Sequence, residues 1–564
     1  MPRSSSWTDL RGRQRRATRA AVVATVSAVF GGCASTTVYV GPTFIVDAAT
    51  NEQAAAIEVD ASGRIVATHK SRDGLRGRAR VVVLPGKLAT PGLHDAHLHI
   101  IAIGRAKERV NLRGATSVAE VKRRIAAFAK ANPKVAFITG RGWDQSLWGG
   151  TFPTWRDIEG ATDKPVLVRR VDGHAALANR VMMQRAAIAA DTETPDGGEI
   201  LRDKSGAPTG VFVDRAMELV RAKVPEPTHR DRRRWLRMGA EACASGGLVT
   251  VHDMGSSVQA VNAMVAEDRS RPLPVRVFVY LDGDDEQALP WLRAHKASAR
   301  SLSPRVTVMG VKLFADGAMG SRGAALLEAY SDRPESKGTI IIPVDKLNET
   351  VAQIHATKAQ VAIHAIGDRG NRVALDAIVL AQGEPKNGNG LRHRVEHAQL
   401  LHPDDLRRFA KHGITASMQP THATSDMRWA EKRVGPVRLR GAYAWKTLLN
   451  TGAKLALGSD APVESEKVLW GLHAVTTRTD HAGKPVGGWQ AHEILTDSEA
   501  LAGFSSGAAW AIHREQDLGT LRPGMRFDVS VFDRDPRGRK GQWLKAKALV
   551  TFVDGRRIDH TESK

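Results

Sequence analysis

Eight short apolar runs, each ending in polar residues and most followed by helical sequence, constrain this chain more than any other feature. They are the end of Lys87 to His99, Leu248 to Asp253, Val275 to Asp282, Val311 to Asp316, Val361 to Ala365, Arg394 to His397, Ile414 to Gln419 and Leu455 to Asp460. Runs without a polar face read as strands buried on both sides, which is the condition of a parallel sheet covered by helices. Helical stretches such as Val351 to Lys358 and Asp404 to His412 separate them. The pattern predicts an α/β fold in which residues 88–517 form a (β/α)8 barrel of the TIM type. Strand-like pieces at Val135 to Thr139 and Pro165 to Val171 fall between the first two runs and mark an insertion after the first barrel strand, at about 110–235.

The two ends of the chain share a different texture. Residues 36–87 and 518–560 alternate short β-rich runs with Gly and Asp turns, Gly519 to Gly524 and Phe527 to Phe532 among them. Two β-rich ends around a long middle predict one discontinuous β-sandwich domain.

Composition narrows the function. The chain has 564 residues, 42% hydrophobic and 25% charged, which excludes a mainly disordered protein and a small binding module. With two cysteines, Cys33 and Cys243, there is no disulfide framework and no cysteine metal cluster, so any metal relies on His, Asp, Glu or Lys. Of the net charge of +22, residues 1–33 hold +5, and the remaining +17 comes from scattered Lys and Arg with no block interleaved with aromatics, which predicts a solvated basic surface and no nucleic-acid groove. Residues 1–33 read as a leader: six arginines against Asp9, then the apolar run Ala20 to Phe30, then Gly31-Gly32-Cys33. That run is shorter than the ~20 residues that span a bilayer, so it reads as a signal-peptide core. The expectation is an exported bacterial protein of the periplasm, with Cys33 as lipidation site of a membrane-anchored lipoprotein, or simple cleavage as the alternative.

His97-Leu98-His99 sets two imidazoles on one face of a strand. Alone the tripeptide is weak, since 20 histidines in 564 residues produce roughly one such pair by chance. Its context is stronger. Lys312, His364, His397 and Asp460 stand at the C-terminal ends of other predicted strands, the barrel face where chemistry is done.

The stretch Pro91 to His99 (PGLHDAHLH) resembles the opening of the amidohydrolase superfamily. Lys312 to Arg322 (KLFADGAMGSR), His364 to Asp368 (HAIGD), Arg394 to Gln399 (RVEHAQ), Gln419 to Met427 (QPTHATSDM), Gly441 to Lys446 (GAYAWK) and Gly458 to Val463 (GSDAPV) narrow the resemblance to the YtcJ-like branch, the amidohydrolase 3 family. The resemblance implies one or two divalent ions, zinc by expectation. His97, His99 and Asp460 hold one, His364 and His397 a second, and a carboxylated Lys312 bridges both. A single ion on His97, His99 and either Asp460 or His364 is the alternative. The implied activity is hydrolysis of non-peptide C–N bonds in a small amide, imide or N-formyl compound by metal-activated hydroxide, with Asp460 as general base and acid. An ester or lactone hydrolase or an isomerase on the same scaffold, and a non-catalytic basic envelope-binding protein, are the rival readings. Oligomeric state is not legible.

For substrate contact the candidates are His174, Trp143, Asp144, Gln145 and Arg322, the last with a structural ion pair to Asp316 or Glu328 as its alternative. Glu396 and His252 are expected to orient ligands. The remaining histidines, His422 and His492 among them, are assigned to surface or core.

Overall fold

The computed structural model describes residues 36–73, 80–171, 173, 175–196, 198–295, 300–383 and 390–560. Eight parallel strands, Leu93–Leu98, Leu248–Ser256, Arg276–Asp282, Val306–Phe314, Gln360–Ala365, Arg394–His397, Thr415–Met418 and Lys454–Leu457, pair in chain order. The last meets the first just past its end: Asp460 N donates to His97 O at 2.6 Å and His99 N to Ala461 O at 2.8 Å. Gly458 is required at this closure, because a Cβ there would lie 2.5 Å from His97 N and 2.6 Å from Asp95 Oδ1. The Asp95 carboxylate itself ties the two strands, accepting from His97 N and from Ser459 N, each at 3.0 Å. Valine, isoleucine and leucine side chains of the strands and surrounding helices form one continuous apolar core. This is the expected α/β barrel.

The run from Lys87 splits at Gly92. Leu88–Pro91 leaves the barrel and pairs antiparallel with Val529–Phe532. Both ends of the chain thereby build one eight-stranded sheet, which encloses a second core around Phe44, Ile57, Phe527 and Phe552. Tyr39 stacks on Phe527 with ring centroids 4.4 Å apart. Gly519 to Gly524 is turn and not strand, and both glycines sit at φ near 89°. Three arginines of the barrel and end sheet, Arg276, Arg305 and Arg526, converge on Asp554, joining the two units.

The insertion carries a six-stranded sheet of its own from Val110–Asn111 to Pro208–Asp214, with the helix Val118–Ala131 against it. Its strand Ala175–Ala178 (AALA) has a helix-favouring composition and is extended because it pairs on both sides, with Val166–Arg170 and Pro208–Asp214. Among the described residues, no helix is long and apolar enough to cross a membrane.

Candidate metal centre

His97 is the most constrained side chain at the C-terminal mouth of the barrel. It is 1% exposed, and its Nδ1 lies 2.6 Å from Glu396 Oε2. Nδ1 therefore donates, and Nε2, 3.5 Å from Asp460 Oδ1, is left with its lone pair facing the cavity. Glu396 is held in turn by Arg394, whose Nε donates to it at 2.7 Å and whose Nη2 donates to Ala96 O and Ser417 Oγ at 2.6 and 2.8 Å. Burial works to raise the Glu396 carboxyl, but Arg394 and His97 overcome it and hold it at about 2. His252 accepts from Arg394 Nη1 at 3.0 Å, so it steadies the arginine that steadies Glu396.

Asp460 gathers three imidazoles. His99 Nε2 lies 3.2 Å and His97 Nε2 3.5 Å from Oδ1, while His422 Nε2 lies 3.6 Å from Oδ2. Burial opposes ionisation of this carboxyl, yet the hydrogen bond from His99 leads the influences that hold it well below the usual range. His397 donates from Nδ1 to Gln419 Oε1, 2.7 Å away, and its ring centre is 4.8 Å from that of His97 and 4.6 Å from that of His364. Both Asp460 and His397 sit in left-handed backbone, at φ 60° and 72°, a strained conformation found where loops leave barrel strands to aim functional groups. Burial pushes His97 down, His397 well down and His364 to about 3, so these three imidazoles are neutral, whereas at His99 the hydrogen bond and charge of Asp460 overcome burial and raise the imidazole. Neutral imidazole nitrogens around an ionised carboxylate are the donor chemistry of a divalent cation, and donor atoms of His97, His397 and Asp460 all lie within 4.8 Å of one another. The residues fit a metal.

Lys312 opens into the same cavity, 2% exposed, with Nζ 3.6 Å from the centre of the Phe314 ring. Burial lowers its ammonium to about 8, against the pull of Glu396 and Asp460. His364 points Nε2 toward Gly317 O at 3.4 Å and Asp316 Oδ1 at 3.7 Å. The cavity holds about 420 Å3 and is walled by Phe314, Met319 and Trp429, with Gln399 and Asp426 among its polar lining.

Other expected contacts are placed elsewhere. Trp143 is fully buried in the core of the inserted domain, its Nε1 donating to Val168 O at 2.8 Å, so it forms no wall of this cavity. Asp144 and Gln145 bind Arg170 of the same domain, at 3.2 and 2.8 Å. Arg322 grips Asp332 with two bonds of 3.1 and 2.9 Å, in place of Asp316 or Glu328, because Asp316 is already taken by the backbone N–H groups of Ala325, Ile366 and Gly367. His174 and Cys33 lie outside the described residues. His422, assigned to surface or core from sequence, is a cavity residue on the helix Pro420–Asp426. The signal for it was its position three residues beyond Gln419, in a segment that leaves the seventh strand at the chemical face of the barrel. His492 is exposed.

The amidohydrolase family model matches residues 80–559. The chain is similar to the protein YtcJ of Bacillus subtilis, 30% identical over 466 residues that make up 81% of this chain and 85% of that one. It is 24% identical to the N-substituted formamide deformylase of Arthrobacter pascens, across 85% of this chain and 89% of the other. A metal-dependent hydrolase of Pyrococcus horikoshii has the same architecture, with a TM-score of 0.76 at 28% identity, covering 90% of this chain and 99% of its own. With a His and Asp cluster that fits a metal at the barrel mouth and these likenesses along most of its length, the chain belongs to the amidohydrolase family.

Proposed function

We propose that this protein hydrolyses a non-peptide C–N bond in a small amide, imide or N-formyl compound, the reaction of the formamide-acting relative being one member of that class. The observation that carries the reading is Asp460, an ionised buried carboxylate placed between His97, His99 and His422. His97, His99 and Asp460 would hold one divalent ion, His364 and His397 a second, and a carboxylated Lys312 would join them; the nitrogen-rich set favours zinc. Such ions supply Lewis-acid chemistry, making water acidic enough to attack near neutral pH and polarising a carbonyl. Asp460 Oδ1 or Oδ2 takes the proton of the attacking water and passes it to the leaving nitrogen, which departs as an amine or amide. Glu396 keeps His97 in one tautomer, and Phe314, Met319 and Trp429 give the site an apolar wall. The leader supports export, with Cys33 as the attachment point of a lipid; Cys33→Ser should then move the protein from membrane to soluble periplasm on fractionation.

A turnover screen of N-acyl amino acids, formamides, cyclic imides and aryl amides, run beside elemental analysis, tests the proposal. The expected result is one to two equivalents of metal and chelator-sensitive release of amine. Turnover of esters or lactones alone would move the assignment to that chemistry. A metal-free protein inert to every compound would make it a binder.

A further inference from the structure

The barrel and its insertion enclose a second cavity system, remote in character from the metal centre. One cavity of about 750 Å3 and another of about 290 Å3 share Arg105, Arg109, Thr139 and the segment Val224 to Pro227 as lining. Arginines enter from four directions: Arg105 from the last turn of the helix Ile100–Lys107, Arg109 just beyond it, Arg169 from an inserted strand, and Arg232 from the helix His229–Ser245. Two further arginines there already have carboxylates. Arg234 is doubly bonded to Glu108 at 2.7 and 2.8 Å, and Arg221 to Glu218 at 2.6 and 2.9 Å.

The first four have none within ion-pair distance among the described residues. Arg232 donates to Pro227 O at 2.6 Å and Arg169 to Gly173 O at 3.2 Å, both neutral acceptors. Arg105 lies over the Trp235 ring at 5.1 Å, and the Nε of Arg109 is buried with no hydrogen-bond partner among the described residues. Glu226 lines both cavities and partly offsets the positive field at Arg105, and Glu108 and Asp231 line the larger one. Burial, then the charges of Arg105, Arg169 and Arg141, press the Arg109 guanidinium down to about 10. Arg169 is exposed and Arg105, Arg109 and Arg232 are half-buried, so the four like charges repel and the half-buried ones also lose hydration, an arrangement that lowers stability unless an anion joins it.

We propose that this arginine cavity is a binding site for a small oligoanion, a molecule carrying two or more phosphate or carboxylate groups. Guanidinium forks recognise both groups with paired hydrogen bonds, and Thr139 lines the same wall. The cavity has room for more than a single phosphate, and its several unneutralised guanidinium groups match a ligand of multiple negative charge. A smaller cavity of about 270 Å3 continues from Arg105 and Arg232 past Asp253 to His99. The oligoanion is therefore either a separate ligand or the anionic tail of a substrate whose other end reaches the metal centre.

Calorimetric titration of the metal-loaded protein with inorganic pyrophosphate and with tricarballylate tests the site and separates the two anion types. The parent is expected to bind at least one of them with a Kd below about 1 mM, more weakly as salt is added. Arg109→Gln and Arg169→Gln should each weaken binding about tenfold or more, while Arg557→Gln, an exposed arginine paired with Asp559, should change it by less than about twofold. Any chelation of metal by the probes is common to parent and variants and drops out of this comparison. If Arg109→Gln does not fold, Arg232→Gln takes its place. Without anion, the cavity variants should melt at or above the parental temperature, since each removes an uncompensated charge; a lower melting temperature with unchanged anion affinity would make the arginines structural and overturn the site. Absence of saturable binding to the parent below about 10 mM would overturn it as well. If Arg109→Gln raises KM for an anionic substrate and leaves KM for a neutral one unchanged, the anion is a substrate tail; if binding is lost with both KM values unchanged, it is a separate ligand.

Discussion

Glu396 Oε2 accepts a hydrogen bond of 2.6 Å from Nδ1 of His97, and neither side chain is exposed by more than 1%. The bond decides which imidazole nitrogen faces the cavity. Glu396→Gln keeps the shape but removes the charge that Arg394 neutralises, so Arg394 is left buried and unpaired while the His97 tautomer is no longer enforced. Metal affinity should fall about 10- to 100-fold. A competitive chelator titration reads this directly, and an unchanged affinity would reduce Glu396 to a purely structural role.

Asp460→Asn should remove proton transfer while leaving the barrel folded. The amide retains the size of the carboxylate but cannot cycle a proton, so kcat is expected to drop about 10²- to 10⁴-fold with little change in melting temperature. Steady-state kinetics on a substrate found in the screen, with a circular-dichroism melt alongside, checks both halves.

Lys312→Ala separates two ions from one. A protonated lysine beside a divalent cation is repelled, so Lys312, which burial already lowers to about 8, is expected to act as a carbamate. The variant should lose at least one equivalent of metal, and bicarbonate should not restore it. Retention of the full complement with most of the activity would leave a single ion on His97, His99 and a third ligand.

Asp554 joins the barrel to the end sheet through Arg276, Arg305 and Arg526. Burial alone would raise its carboxyl, but these three guanidinium groups hold it below its ordinary 3.8. A carboxylate with a depressed folded pKa stabilises fully above its unfolded value and loses that contribution as pH falls through the folded one. Asp554→Asn should therefore be less stable than the parent by about 1–3 kcal/mol at pH 7, with the gap narrowing below pH ~4. Denaturant unfolding at several pH values measures the gap; a difference that stays constant with acidification would remove the ion pairs as its source.

The barrel was legible because its evidence is local. An apolar run of five or six residues with no polar face reports burial on both sides wherever it lies in the chain, and eight of them between helices leave few alternatives. His97 and His99 were legible for the same reason, since alternation along one strand fixes which side chains share a face. Lys312, His364, His397 and Asp460 followed from a general property of barrels, that strand ends converge. The inserted sheet was mostly hidden, because Ala175–Ala178 is extended only through its neighbours.

Long-range geometry settled the rest. Whether His422 turns into the cavity, whether Trp143 lines it or fills the core of the insertion, and whether Arg322 meets Asp316 or Asp332 depend on how loops of different strands lie against one another. The local pattern puts His422 in a segment at the chemical face of the barrel but does not carry the partners of these side chains. The same holds for charge: Arg105, Arg109, Arg169 and Arg232 are dispersed over more than a hundred residues and look like solvated surface in the sequence, yet they share one cavity. Chain periodicity reports which face of an element is buried, whereas the partners of a buried or gathered charge are chosen by the closing of the barrel and the docking of the insertion upon it.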